Sequence, residues 1–528
     1  MARRDRHRVR EHRQLAIRRL TDSLADDELD IEDALTKVQK VRADVVAALL
    51  EALEDEQPVV RKNAADLLRE AQWRNALGPK GWAEAVRPGL LRVFANEGEA
   101  EHVRVAAGEA LPGISWATRE EVDTLIGLLE SAAPAIRYTA LLALGSSCPV
   151  PARVADAIAP LLEDVHLLVR VQAAEALDFS FQYADQVIAA MTPLWRTPGS
   201  CHREQAAMCI GRMMDHARGM ALEFADAAGD PQEQTSIRAA ALYALQYIAR
   251  RAPESVIDAI PTLLTCLDNP DLRQSAVGVF IELKEHGAPA MPIVAAWLDG
   301  DDWQLRDLAV RFLMSEFSNA DVAVPGLCGM VVNRSLDARF ERCDAATALG
   351  VCGRKSAEAR ETLVAVAVDE SEDSNVRAAA LAALADSPVA LPQLWPTVER
   401  CCNDSSQPAA LRAAALRVSP AAGQPMEVVA PMVIRALNDE SFGVRAAASA
   451  ALPKLGRYAE PAVAVLCAML KRPRDYGLAA DALGSLGSLA ASAIASLREF
   501  ATDSDAEIGQ AASEAIAKIS ERSEYGGR

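Results

Sequence analysis

The sequence predicts an all-α protein built as a solenoid of about fourteen helical hairpins, and three observations carry that prediction. The nonamer "VRAAALAAL" (376–384) returns almost unchanged as "VRAAASAAL" (444–452). The pattern behind it recurs fourteen times along the chain, with its apolar positions at helical period. No strand-like alternation of any length interrupts it. A catalytic motif has no reason to occur fourteen times. A structural unit too small to bury its own core does.

With the nonamer's Arg as position zero, the copies centre on Arg61, Arg104, Arg137, Arg170, Arg203, Arg238, Arg273, Arg306, Arg342, Arg377, Arg412 and Arg445, and then on Tyr476 and Gly509. The first interval is 43 residues and the others run from 31 to 36. Position +3 is Ala in every copy, from Ala64 to Ala512. A slot that accepts one methyl group and nothing larger marks a very close helix approach. Position +7 is Leu, Ile or Phe in all copies but one, Ser419. Together −1, +3, +6 and +7 form one stripe, so each nonamer is the buried face of an amphipathic helix.

A second apolar run precedes each nonamer, such as "IPTLLTCLDN" (260–269). These runs are the partner helices. Many end in an acid: Asp55, Asp164, Asp268, Asp299, Asp404, Asp439 or Asp503. An Asp in the inter-helix turn can cap the next helix or take the fork of a motif Arg. Arg170 with Asp164 and Arg445 with Asp439 are the expected pairs. Pro261, Pro292, Pro431 and Pro461 fall near the start or inside the first helices, where the helix tolerates or kinks around them.

The combination Asp, short loop, Val–Arg–x–x–Ala, small residue, x–Ala–Leu in a helical hairpin resembles the HEAT repeat, especially its PBS-lyase-like form. The resemblance covers roughly positions 42–520 and implies a right-handed α-α superhelix in one elongated domain. Before it, the sequence suggests a basic, partly disordered arm over 1–20 and a capping helix over 21–41; after it, a tail over 521–528. A fold is not an activity. The resemblance admits a non-catalytic scaffold and, as an alternative, a bilin-lyase-like enzyme or subunit acting on a protein-bound substrate. The paired His-Glu dipeptides of the HEAT-like di-iron hydroxylases are absent from this sequence.

Charge narrows the choice. The first twenty residues hold eight Arg and two acids, a balance of +6, while the whole chain carries −19, which leaves −25 for the rest. An acidic body repels phosphate, so nucleic-acid binding is not expected except through the basic arm. The arm lacks the apolar core of about 7–15 residues that a secretory signal needs. No apolar run is expected to reach membrane-spanning length. None of the ten Cys forms a CxxC, so reduced thiols and a cytoplasmic setting are expected.

No phosphate loop, nucleophile elbow, zinc-protease or calcium-loop motif is present. Neither a catalytic residue nor a cofactor is therefore expected. His202, Cys209, Met213 and His216 share one helical stripe with soft-metal character. His202 and Cys209 nonetheless occupy core slots of the repeat, so packing is the expected role. A different stretch suits a protein partner. "ALDFSFQYADQ" (176–186) concentrates Phe179, Phe181 and Tyr183 in a chain with 5% aromatics. Tyr138, Leu142, Met208 and Tyr243 occupy slots +1 and +5, off the core stripe. These seven residues are the candidate protein-binding ridge. The long first interval adds "QWRNALGPKGW", an insertion with Trp73 and Trp82 that could project for binding.

Overall fold

The computed structural model describes residues 42–73, 82–111, 118–146, 150–315, 320–337, 339–501 and 506–525. The basic arm, the expected capping helix and positions 74–81 of the insertion lie outside the described residues. The chain forms two compact units, Met1–Leu283 and Lys284–Arg528. Among the described residues both are helical throughout, with no strand.

In the first unit the leading helices are Arg42–Ala52, Trp82–Ala95, Arg119–Leu128, Ala152–Ile158, Ala184–Trp195, Ala221–Gly229 and Ile260–Leu267. Each is followed by a motif helix; in order these are Pro58–Trp73, Glu101–Glu109, Pro134–Leu144, Leu167–Ala176, Arg203–Arg212, Thr235–Arg251 and Pro270–Glu282. The second unit repeats the scheme. Its motif helices, the eighth to the fourteenth, are Trp303–Leu313, Glu341–Cys352, Ser374–Ala383, Ala409–Val418, Phe442–Ala451, Tyr476–Leu486 and Ala506–Tyr525.

Local chemistry sets the helix starts. Pro58, Pro134 and Pro270 open motif helices at the position where a missing N–H costs nothing. Thr118 and Glu121 form a reciprocal capping box, and Asn269, Asp302, Ser356 and Asp373 cap with their side chains. Pro261 and Pro292 sit in first turns, whereas Pro431 lies inside Met426–Ala436.

The stripe is buried as its period requires. All fourteen position +3 alanines are 0% exposed. Ser419, the polar exception at +7, is equally buried and donates its hydroxyl to the Leu416 carbonyl at 2.8 Å. Where +8 is glycine, as at Gly211 and Gly350, the motif helix meets the next one at that helix's +6 alanine. A Cβ on Gly211 would lie 2.5 Å from the Ala244 Cα, and one on Gly350 would lie 2.8 Å from the Ala383 Cα. At these two crossings small residues are thus required, on top of the alanine at +3.

The arginine ladder differs from the expected pairing in one respect. Arg170 and Arg445 do reach Asp164 and Asp439, but through the Asp backbone carbonyls, at 2.7 and 2.8 Å. The carboxylates belong to the preceding hairpin's arginine. Asp164 accepts from Nε and Nη2 of Arg137, at 2.7 and 2.8 Å, and Asp439 takes Arg412 at 2.8 Å. Arg445 in turn reaches forward to Asp475 at 2.6 Å. Arg137, Arg412 and Arg445 therefore each tie their own turn to the next one, a task that suits a planar fork. Glu99, Glu233, Glu341 and Glu372 play the Asp role for Arg61, Arg203, Arg306 and Arg342.

Where Arg is lost the contact is replaced. The Tyr476 hydroxyl donates to the Ile508 carbonyl at 2.9 Å, again linking one hairpin to the next. The 25-residue stretch Tyr476–Phe500 is apolar and long enough by composition to cross a membrane. In the structure the chain breaks at Gly487, whose φ is +57°, so the stretch forms two elements of the stack and is half buried.

Candidate protein-binding surface

The core stripe points inward, so slots +1 and +5 face away from it, on the outer side of the motif helices. Across motif helices two to six, slot +5 reads Glu109, Leu142, Glu175, Met208 and Tyr243. The row places acid, aliphatic, acid, thioether and aromatic side chains at one-repeat intervals. Leu142, Glu175, Met208 and Tyr243 are half-buried, as is Tyr138 at +1.

The aromatic residues after the fourth motif helix are assembled by a strained turn. That helix ends at Ala176, and Phe179 follows with φ +60°, in the left-handed region that bulky residues avoid. The turn lays Phe179 edge-on to Phe181, with ring centroids 6.4 Å apart, and 6.0 Å from Tyr247. Tyr247 packs against Tyr243 at 4.8 Å and shares a hydroxyl–hydroxyl contact of 3.2 Å with it. Phe181 is 37% exposed and stacks on His216 at 6.1 Å. Three hairpins thus contribute to one aromatic cluster.

Two arginines pin it. Arg212 lies over the Tyr243 ring at 5.7 Å, donates to its hydroxyl at 3.3 Å and pairs with Asp178. Arg250 lies over Tyr247 at 5.2 Å and pairs with Glu282 at 2.7 Å. Burial pushes the Asp178 carboxyl up to about 6 in spite of Arg212. Burial also raises the Glu175 carboxyl and the Tyr138 hydroxyl, the latter helped by Glu175 and Glu109.

Of the seven residues that the sequence singles out, Phe179, Phe181 and Tyr243 come together in this cluster, and Tyr138, Leu142 and Met208 lie on the adjoining outer faces. Tyr183 goes elsewhere. Its hydroxyl donates to Asp156, and it lines an open groove of about 630 Å³ with Asp156, Glu163 and Gln186 between two leading helices. Sequence reasoning missed Tyr247, Arg212 and Asp178. The usable signal was register: all three sit at +8 or +9, one turn beyond the +5 row. In the soft-metal stripe, Cys209 and Met213 are fully buried while His216 faces Phe181. Among the described residues no group of three His, Cys, Asp or Glu side chains is placed to hold a metal ion.

The arrangement defines a class: a HEAT/ARM-like all-α solenoid. Solved structures of that class match most of the chain. Importin beta, crystallised in an ammonium sulfate condition, is 15% identical with a TM-score of 0.55, over 97% of this chain and 80% of that one. The karyopherin Kap121p bound to the SUMO protease Ulp1p is 14% identical with a TM-score of 0.58, over 96% of this chain and 67% of that one. At such identities the likeness concerns the fold alone. No protein-family model and no curated protein sequence matches the chain.

Proposed function

We propose that this chain is a non-catalytic scaffold that binds other proteins through the outer faces of motif helices three to six. The observation that carries the reading is the cluster of Phe179, Phe181, Tyr243 and Tyr247, drawn from separate hairpins and open to solvent at Phe181. Rigid aromatic groups above a closed core supply binding area with little loss of side-chain entropy. The complex of Kap121p with Ulp1p shows that a solenoid of this class can carry a protein ligand. The Val–Arg–x–x–Ala signature supports the PBS-lyase-like variant of the repeat. Thiols used as packing groups, with Cys209 fully buried and its ionisation pushed up by burial, fit a reducing cytoplasm.

The test compares proteins captured by the immobilised parent and by a Phe181→Ser/Tyr247→Ala double variant. A shared set of partners that the variant loses, at unchanged helicity, is the expected result. Identical capture by both proteins would remove the ridge from the binding surface.

A further inference from the structure

The charges beneath the ridge do not balance. Glu109 pairs with Arg69, Asp178 with Arg212, and Glu282 with Arg250. Glu175 sits between these pairs, half-buried, and among the described residues no hydrogen bond or ion pair engages its carboxylate. Two basic side chains lie within electrostatic reach of Glu175, Arg212 and His202, and Arg212 is held by Asp178 and Tyr243. Glu204, exposed in the first turn of the fifth motif helix, adds a further negative charge. The surroundings are apolar or aromatic, with Leu142 and Met208 in the flanking +5 slots and Tyr138 within electrostatic reach of Glu175. A carboxylate kept half out of water without a partner costs stability, and that cost is recovered when a cation arrives.

We infer that Glu175 receives the cationic side chain of a lysine or arginine carried by a bound protein segment, with apolar residues of the same segment resting on Leu142, Met208 and the Phe181 ring. Charge complementarity selects the cation, and the aromatic face of Tyr138 adds to it. Register selects the spacing. Adjacent motif helices lie about 8–10 Å apart, and an extended chain advances about 3.3 Å per residue. The segment therefore carries its apolar residues about three positions to either side of the cation. This inference rests on the scaffold reading and sharpens it.

A random peptide library displayed on phage, selected against the folded full-length protein, tests it with three targets: parent, Glu175→Gln and Phe181→Ser. The parent should enrich peptides with Lys or Arg flanked by apolar residues at that spacing. A synthetic copy of the consensus should bind Glu175→Gln about tenfold or more weakly, as loss of a charge-assisted contact implies. Glu175→Gln should melt no lower than the parent, since the carboxylate holds nothing in place. A consensus without a cation that is lost in Phe181→Ser but kept in Glu175→Gln overturns the cation site and leaves the scaffold reading standing. No enrichment on the parent over Phe181→Ser overturns both. A lower melting temperature for Glu175→Gln also overturns the inference, because it would make Glu175 a structural partner.

Discussion

Arg342→Lys isolates what the ladder contributes. Arg342 donates Nε and Nη2 to the Val331 carbonyl at 2.9 and 2.7 Å, and Nη1 and Nη2 to the two Glu372 oxygens at 2.9 and 2.6 Å. Both side chains are nearly sealed, 3% and 6% exposed. A lysine keeps the charge but offers one nitrogen, which cannot serve a carbonyl and a carboxylate that lie on two different edges of a guanidinium. Retaining Glu372 means abandoning Val331. Hydrogen bonds from a charged donor contribute about 1.5–3 kcal/mol, so the expected loss is about 2 kcal/mol. Arg92→Lys is the internal control. Its pair with Glu54 leaves both side chains about two-thirds exposed, at 65% and 66%, and the change should stay within about 0.5 kcal/mol. Urea unfolding gives the totals. Hydrogen exchange over 341–384 gives the location, because stacked repeats open locally and need not unfold in one step. Equal stability of the two variants would refute the idea that the fork, rather than the charge, holds successive hairpins together.

Three further outcomes follow from the same packing. Ala380→Leu or Ala448→Leu forces three carbons into a fully closed slot and should cost about 1–3 kcal/mol in thermal unfolding; melting like the parent would show that the slot is not a contact. Lys284 is exposed with φ +52°, so Lys284→Gly should stabilise by about 0.5–1 kcal/mol while Lys284→Ala should not, a contrast that reports backbone strain alone. Hydrogen bonds from Arg61 and Arg342 hold the Glu99 and Glu372 carboxyls below their usual range, and Asp164 is likewise lowered, its bonds to Arg137 and the His166 N–H outweighing burial. Stability from these groups is fully present above the ordinary carboxylate range of about 4 and is lost as pH falls through their lower folded values. Glu372→Gln should flatten that acid limb of a stability–pH curve while leaving stability between pH 5 and 7 free of a new slope.

The repeat is legible in the amino-acid order alone: its hairpins, its buried stripe, the close approach at +3 and the use of Arg at position zero. These are properties of period and of residue size, and both are written locally. The pairing of side chains across hairpins is not legible there. Asp164 precedes Arg170 by only six residues yet gives it a carbonyl and turns its carboxylate back to Arg137, because a turn faces two neighbours and only stacking shows which one a side chain meets. Phe179, Phe181 and Tyr183 are consecutive odd positions and read as one patch. The left-handed turn at Phe179 sends the first two toward Tyr247 and His216, while Tyr183 joins Asp156 among the leading helices. Tyr247 and Arg212 lie 35 residues apart in the chain and meet through Tyr243 only because the fifth and sixth motif helices are neighbours. That no hydrogen bond or ion pair among the described residues engages Glu175 is a statement about every residue around it at once. A one-dimensional pattern records which side chains a helix presents. What they meet depends on the register between helices, which no local pattern contains.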